Sequence, residues 1–250
     1  MTHKSDLPKM LATGEFYPED IMLTIAESNR KIDPYVEGEI EHLWEKVQKD
    51  AKEKGKVCYN GMSYRLNSLE IKEGALHIEL AEMEFKVRNC INRIPEFLSL
   101  PEPYYRMGCF TSSTIKTADE KYIMVELSGV SMNNNGIDYV GGMMEPNVPV
   151  NGGRYVYDSY YVELEEEAGI TQDDIEKIYL DSVYIESGTN VAFYFEVTLK
   201  IDSSEISKRF LDNTDQDIKG LKFYTKEEYL NVLNNHPNVS KHFVAGIVSI

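Results

Sequence analysis

Basic residues are scarce in this chain: 26 Lys and Arg stand against 42 Asp and Glu, a formal charge of −16 over 250 residues. That excess repels a polyanion and offers no electrostatic footprint for nucleic acid or an anionic membrane. A phosphate-bearing ligand would need a cation or a local cluster of donors to receive it, and a carboxylate site that takes Mg2+ is one way to supply the cation. Cysteine is scarce too. Cys58, Cys90 and Cys109 stand far apart without a C-x-x-C pair, which argues against a disulfide framework and a zinc site and for free thiols in a reducing compartment. No stretch approaches the ~18 apolar residues of a membrane span, and the start, MTHKSDLPKM, has no apolar signal-peptide segment, so a cytoplasmic protein is expected. P-loop and Gly-x-Ser-x-Gly motifs are missing, as are repeats and low-complexity tracts. His77, His236 and His242 are not paired at metal-ligand spacing and read as surface or core-edge residues.

What is present is a globular composition, 42% hydrophobic, enough to bury a core. Residues 1–35, with Pro8, Gly14, Pro18 and Pro34 around the apolar piece IMLTIA, read as a segment that drapes over something else. From Glu37, the spacing of Ile40, Leu43, Trp44, Val47 and Ala51 predicts an amphipathic helix closed at Gly55. The period then changes to two. VCY, SYRLNSLEI and ALHIELAEMEFKV, separated by Asn60-Gly61 and by KEG, predict an antiparallel meander to about residue 88. RIPEFLSLPEPYY reads as a connection, which divides the chain into an N-terminal helix-and-strand region, 1–100, and a second domain, 101–250. In the second part a hairpin around Ala118-Asp119-Glu120 and the strand IDYVGG precede the loop EPNVPVNGGR. There follow a helix from about Asp158 to Ala168, strands IYLDSVYI, VAFYFEVTLKI and LKFY, and a helix opening at Thr225 with Glu228 at capping-box spacing. Strands, helix, strands, helix predicts an α/β layer fold with a mixed sheet between helices.

The stretch YYVELEEEAGI, residues 160–170, carries the chemistry. Glu163, Glu166 and Glu167 are related by i, i+3 and i+4, so their carboxylates emerge on one helical face, while Glu165 points elsewhere. Tyr157, Tyr161, Leu164 and Ala168 form an apolar stripe opposite them, able to hold the helix against a sheet. Repulsion within the acidic face must be absorbed by water, as on any solvated Glu-rich helix, or by a cation. Three clustered carboxylates suit Mg2+. Upstream, Gly141-Gly142 in VGGMMEP allow a backbone carbonyl to approach such a helix.

GGMMEPN followed by VELEEEAGI resembles a divergent Nudix box, G-x5-E-x7-R-E-U-x-E-E-x-G-U, with Gly142, Glu163, Leu164, Glu166, Glu167, Gly169 and Ile170 in the family positions. Val148 stands where the family has its first glutamate and Val162 where it has its arginine. Residues 149–161 fill a gap that spans seven residues in the family, an insertion of six placed around Asn151-Gly152-Gly153. In the family those two side chains form an ion pair. Losing one partner strands a charge, whereas replacing both by apolar groups is close to neutral. The resemblance extends over roughly residues 103–250 and includes the closing GLKFYTKEEYLNVL; the N-terminal region is loosely similar to the extra domain of Nudix proteins that cleave UDP-glucose.

The resemblance implies Mg2+ (or Mn2+) held by Glu163, Glu166, Glu167 and the Gly142 carbonyl. It implies Glu166 or Glu167 as the base, with Glu186 in YIESGTN as an alternative. The reaction is hydrolysis of a diphosphate linkage in a small-molecule nucleoside diphosphate derivative such as a nucleotide sugar, with no nucleic-acid or membrane partner. Val148 and Val162 motivate a rival reading, a catalytically silent Nudix-fold protein that binds a nucleotide or a protein partner. A homodimer formed through the N-terminal region is a further expectation. Asp212, Asp215 and Asp217 in DNTDQD lack EF-hand spacing and read as an exposed polar loop.

Overall fold

The structure, a computed structural model, describes residues 9–26, 32–56, 58–91, 93–94, 107–129, 136–186, 190–211 and 217–235. The apolar spacing after Glu37 forms α1 (Pro34–Glu53), begun by Pro34 in its first turn and by the Asp33 carboxylate, which accepts the Tyr35 N–H at 2.9 Å. Its buried face, Val36, Ile40, Trp44, Val47 and Ala51, packs against α2 (Phe85–Ile91), with Trp44 meeting Phe85 edge-on.

Two mixed sheets carry the rest. In the smaller one, β3 (Met62–Lys72) and β4 (Ala75–Glu84) form a hairpin whose turn, Glu73-Gly74, has positive φ at both residues. β2 (Ile21–Ile25) joins β4 in parallel, giving the order β2-β4-β3. The larger sheet contains β1 (Lys9–Phe16), β5 (Met107–Lys116), β6 (Tyr122–Leu127), β8 (Ile175–Ile185), β9 (Asn190–Leu199) and β10 (Ile218–Tyr224). Its order is β1-β8-β9-β5-β6-β10, with the short β7 (Ile137–Asp138) beside β6. The β5–β9 pair is parallel and the other pairs are antiparallel. α3 (Arg154–Ala168) covers one face of this sheet and α4 (Ser203–Phe210) packs beside it. α5 (Lys226–Asn235) covers the other face through Tyr229, Val232 and Leu233. This is the expected α/β fold, a mixed sheet between helices.

Several local expectations give way to tertiary contacts. IMLTIA is the strand β2, and the segment before it is β1, so the N-terminal segment is built into both sheets. Asn60-Gly61 is not a hairpin turn, and no strand is formed at residues 58–60. The Asn60 side chain accepts the Lys86 N–H at 2.9 Å and the Gly61 carbonyl accepts the Phe85 N–H at 2.8 Å. Those bonds satisfy the first turn of α2, which is why Phe85-Lys86-Val87 leaves the strand it was expected to continue. α4 was not foreseen, although Asp202 accepting the Glu205 N–H at 2.9 Å is a plain N-cap signal. The capping box at Thr225 and Glu228 forms as expected, the Glu228 carboxylate accepting the Thr225 N–H and the Thr225 hydroxyl accepting the Glu228 N–H. The connection around residue 100 and the histidines His236 and His242 lie outside the described residues.

Core residues from the two ends of the chain share one cluster, Phe16, Ile21, Leu66 and Leu76 packing with Tyr157, Leu164 and Phe195. Gly153 lies close against residues 18–21, where a Cβ would fall on the Pro18 and Ile21 carbonyl oxygens. Gly153→Ala is therefore expected to destabilise the fold by ~1–3 kcal/mol in chemical denaturation. Gly38→Ala, in α1 with nothing within 4 Å of its Cβ position, should be neutral or stabilise by ~0.5–1 kcal/mol.

Candidate functional site

α3 begins at Arg154, four residues before the expected start, because the Gly152-Gly153 turn lets the chain enter the helix directly against residues 18–21. Tyr157 anchors it. Its hydroxyl donates to the Phe16 carbonyl at 2.6 Å and accepts the Leu180 N–H at 3.1 Å, tying α3 to β1 and β8 together. Tyr160 stacks on Phe195 at 4.6 Å between ring centroids. Of the expected apolar stripe, Tyr157, Leu164 and Ala168 are buried, but Tyr161 is only half-buried, and Tyr155, Val156 and Tyr160 are buried in addition. The buried face is wider than a single-sheet contact predicts because the N-terminal segment covers the helix from a second side. The helix ends at Gly169, whose φ of +65° is the left-handed conformation glycine adopts without strain.

Held this way, α3 turns Glu163, Glu166 and Glu167 into one cleft of roughly 550 Å3. Glu165 faces a neighbouring cavity with Asp158 and Asp173. The opposite wall of the acidic cleft is Gly141-Gly142. This segment is fixed to β5 by Thr111 N–H donating to the Gly142 carbonyl at 2.8 Å and by Met144 N–H donating to the Cys109 carbonyl at 3.1 Å. A Cβ on Gly141 would fall on the Thr111 carbonyl, so backbone excludes a side chain there, whereas a Cβ on Gly142 would fall on the Glu163 carboxylate and force that side chain to swing away. Gly141 also has φ +151°, and its N–H donates to Glu167 Oε2 at 2.9 Å. Two of the three glutamates are thus pressed onto the bare backbone of the double glycine, and Glu166 stands exposed between them and solvent.

The cleft holds residues that the spacing argument did not single out as part of the site. Glu145 lines it, and both burial and the neighbouring charge of Glu166 hold its carboxyl above the usual range. Asp217 lines it as well, although DNTDQD was read as an exposed loop; Asp212 and Asp215 lie outside the described residues. Sequence carried a signal for Glu145, two residues after Gly142-Met143, but none for Asp217, which β10 brings in from far along the chain. Val148 and Val162 both line the wall of the same cleft, and Val148 packs against the main core. Glu186 is elsewhere, in a smaller cavity on the other side of Gly141-Gly142.

Among the described residues no group of three or more His, Cys, Asp or Glu side chains is arranged so that it could hold a metal ion. The donors nonetheless fit a hard, partly hydrated cation. They are carboxylate and carbonyl oxygens, the glycine backbone leaves room for Glu163, and Mg2+ ordinarily keeps several waters and takes one or two carboxylates plus substrate phosphate. The Gly142 carbonyl already accepts the Thr111 N–H at 2.8 Å and the Thr111 hydroxyl at 3.4 Å.

No family model and no curated protein sequence matches the chain. Among solved structures it is similar to a Nudix hydrolase from Nitrosomonas europaea, with 17% identity and a TM-score of 0.35, over 52% of this chain and 80% of that one. It is similar also to a C. elegans Ap4A hydrolase, with 13% identity and a TM-score of 0.36, over 52% and 88%. A third is the Nudix domain of Shewanella oneidensis NrtR in complex with ADP ribose, with 12% identity and a TM-score of 0.34, over 54% and 85%. These neighbours are Nudix proteins. At these scores the overlays carry no weight on substrate, metal or activity, which are read from this chain's own residues.

Glu145 gives a check that needs no ligand. A carboxyl whose pKa is raised on folding supports the fold fully below its unfolded pKa, near pH 4, and that support is lost as pH rises through the raised value. Glu145→Gln should therefore raise the denaturation midpoint at pH 7 and leave it close to wild type at pH 4.

Proposed function

We propose that this protein is a divalent-cation-dependent hydrolase of the Nudix type, cleaving the diphosphate linkage of a nucleoside diphosphate derivative such as a nucleotide sugar. The observation that carries the reading is the seating of Glu163 on Gly142 and of Glu167 on the Gly141 N–H, with Glu166 beside them. In a protein of charge −16, helix-packed carboxylates facing a glycine backbone make a receptor for a cation, and through it for phosphate.

Glu163, Glu166 and Glu167 would hold Mg2+ or Mn2+, with the Gly142 carbonyl as a further ligand if the weaker bond from the Thr111 hydroxyl gives way. A bound divalent cation supplies neutralisation of charge on the diphosphate and a nucleophilic water at neutral pH. The chain's own residues do the rest. Gly141-Gly142, locked to β5, set the position of Glu163, and the Gly141 N–H holds Glu167 by Oε2. Glu166 is the more exposed of the two candidate bases and would accept a proton from the attacking water at a carboxylate oxygen. Glu145 lines the same cleft, its carboxyl held above the usual range by burial and by the charge of Glu166. Glu186 lines a neighbouring cavity that shares Gly141, Gly142 and Met143 with the cleft and stays the alternative base.

The apolar pair Val148 and Val162 favours the second reading, a silent binder, because it stands where the family has a bracing ion pair. Packing of Val148 into the core supplies an alternative brace. ADP-ribose and UDP-glucose incubated with and without Mg2+ or Mn2+ separate the two: cation-dependent release of two phosphate-bearing products is expected. Combined Glu166→Gln and Glu167→Gln should lower it by roughly 10²–10⁴-fold with the fold intact. Turnover that survives this double substitution would sink the metal assignment, and absence of turnover on any diphosphate would leave the binder.

A further inference from the structure

One side chain in the wall of the acidic cleft has no part in holding a cation. Among the described residues that line the cleft, Tyr59 is the one aromatic, and it comes from the N-terminal region, in the segment that leads into β3. The residue is 71% exposed. A lone exposed aromatic on a protein surface needs no explanation, but this one shares its cleft with Glu163, Glu166 and Glu167.

Tyr59 stands next to an anchored stretch. The Asn60 side chain accepts the Lys86 N–H at 2.9 Å and donates from Nδ2 to Glu84 at 3.0 Å, and the Gly61 carbonyl accepts the Phe85 N–H at 2.8 Å. Gly61 also leaves space for the ring, since a Cβ there would lie 3.3 Å from Tyr59 Cε2. Further along, the Tyr64 N–H donates to the Met144 carbonyl at 2.9 Å, which joins β3 to the segment that follows the double glycine. The backbone that carries Tyr59 is thus bonded both to α2 and to the glycine wall of the cleft. A ring on such a base has two side-chain torsions to fix and loses little freedom when a ligand covers it.

The cleft, roughly 550 Å3, lies within the ~300–1,000 Å3 of a whole-ligand pocket and admits more than a hydrated cation and a diphosphate. What a tyrosine ring offers the remainder of the ligand is a flat π face, and the flat aromatic end of a nucleoside diphosphate derivative is its base. We propose that Tyr59 stacks on the nucleobase of the substrate and is the residue that makes a nucleotide bind better than a bare diphosphate. The inference rests on the diphosphate reading of the cleft. Every base has a π face, so this contact selects nucleotides over other diphosphates and separates the bases only by stacking strength.

Calorimetry in Mg2+ with three probes tests it without requiring turnover: the non-hydrolysable α,β-methylene analogues of ADP and UDP-glucose, and methylenediphosphonate, which has no base. The wild type is expected to bind both nucleotides more tightly than methylenediphosphonate. Tyr59→Ala should weaken the two nucleotides by about tenfold and leave methylenediphosphonate unchanged, while Tyr59→Phe, which keeps the ring, stays close to wild type. Both variants are expected to fold, because the side chain is exposed. Unchanged nucleotide affinity in Tyr59→Ala, an equal loss for methylenediphosphonate, or no nucleotide binding by the wild type overturns the proposal. So does a loss confined to the UDP-glucose analogue, which would put the sugar on Tyr59. Hydrolysis by a protein whose nucleotide binding ignores Tyr59 would overturn the stacking alone. Nucleotide binding that needs Tyr59, without hydrolysis of any diphosphate, would overturn the hydrolase and keep the stacking.

Discussion

The Glu163 carboxylate occupies the space that any side chain at residue 142 would need, and the rest of the structure is arranged around that contact. Three glutamates on successive positions of one helical face repel one another, so α3 cannot present them unless it is anchored from behind. The anchoring is substantial: Tyr157 ties the helix to two strands at once, Tyr160 stacks on β9, and Gly153 lets the helix start lie against residues 18–21. On the other side, the glycine segment is fixed by bonds to Thr111 and Cys109 of β5. Two rigid elements therefore hold a charged contact that neither would adopt alone.

This arrangement explains why the N-terminal segment belongs to the site without lining most of it. β1 provides the carbonyl that accepts from Tyr157, and the turn after it provides the surface on which Gly153 rests. The segment before β3 brings Tyr59 to the cleft. Val148 and Val162 line the wall of the cleft, and Val148 packs against the main core.

The sequence showed the helix face, the glycines and most of the strands, because each has a local signature: i, i+3, i+4 spacing, a double glycine after a strand, and period-two alternation. The Thr225–Glu228 capping box was legible for the same reason. Phe85-Lys86-Val87 looked like strand and became helix because Asn60 and Gly61, distant in sequence, satisfy its first turn. IMLTIA had no periodicity long enough to declare itself; only pairing with β4 makes it a strand. Asp217 and Tyr59 reach the site through tertiary packing, which leaves no pattern along the chain.

The central claim is that the Glu163–Gly142 contact shapes a divalent-cation site. Calorimetric titration of Mn2+ into the wild type and into Gly142→Ala tests it most directly, because the added methyl displaces the Glu163 carboxylate while leaving every carboxylate in the chain. The account predicts binding by the wild type that is weakened at least tenfold in the variant, with thermal unfolding showing both proteins folded. Equal Mn2+ affinity in the two folded proteins, or no uptake by the wild type, would contradict it.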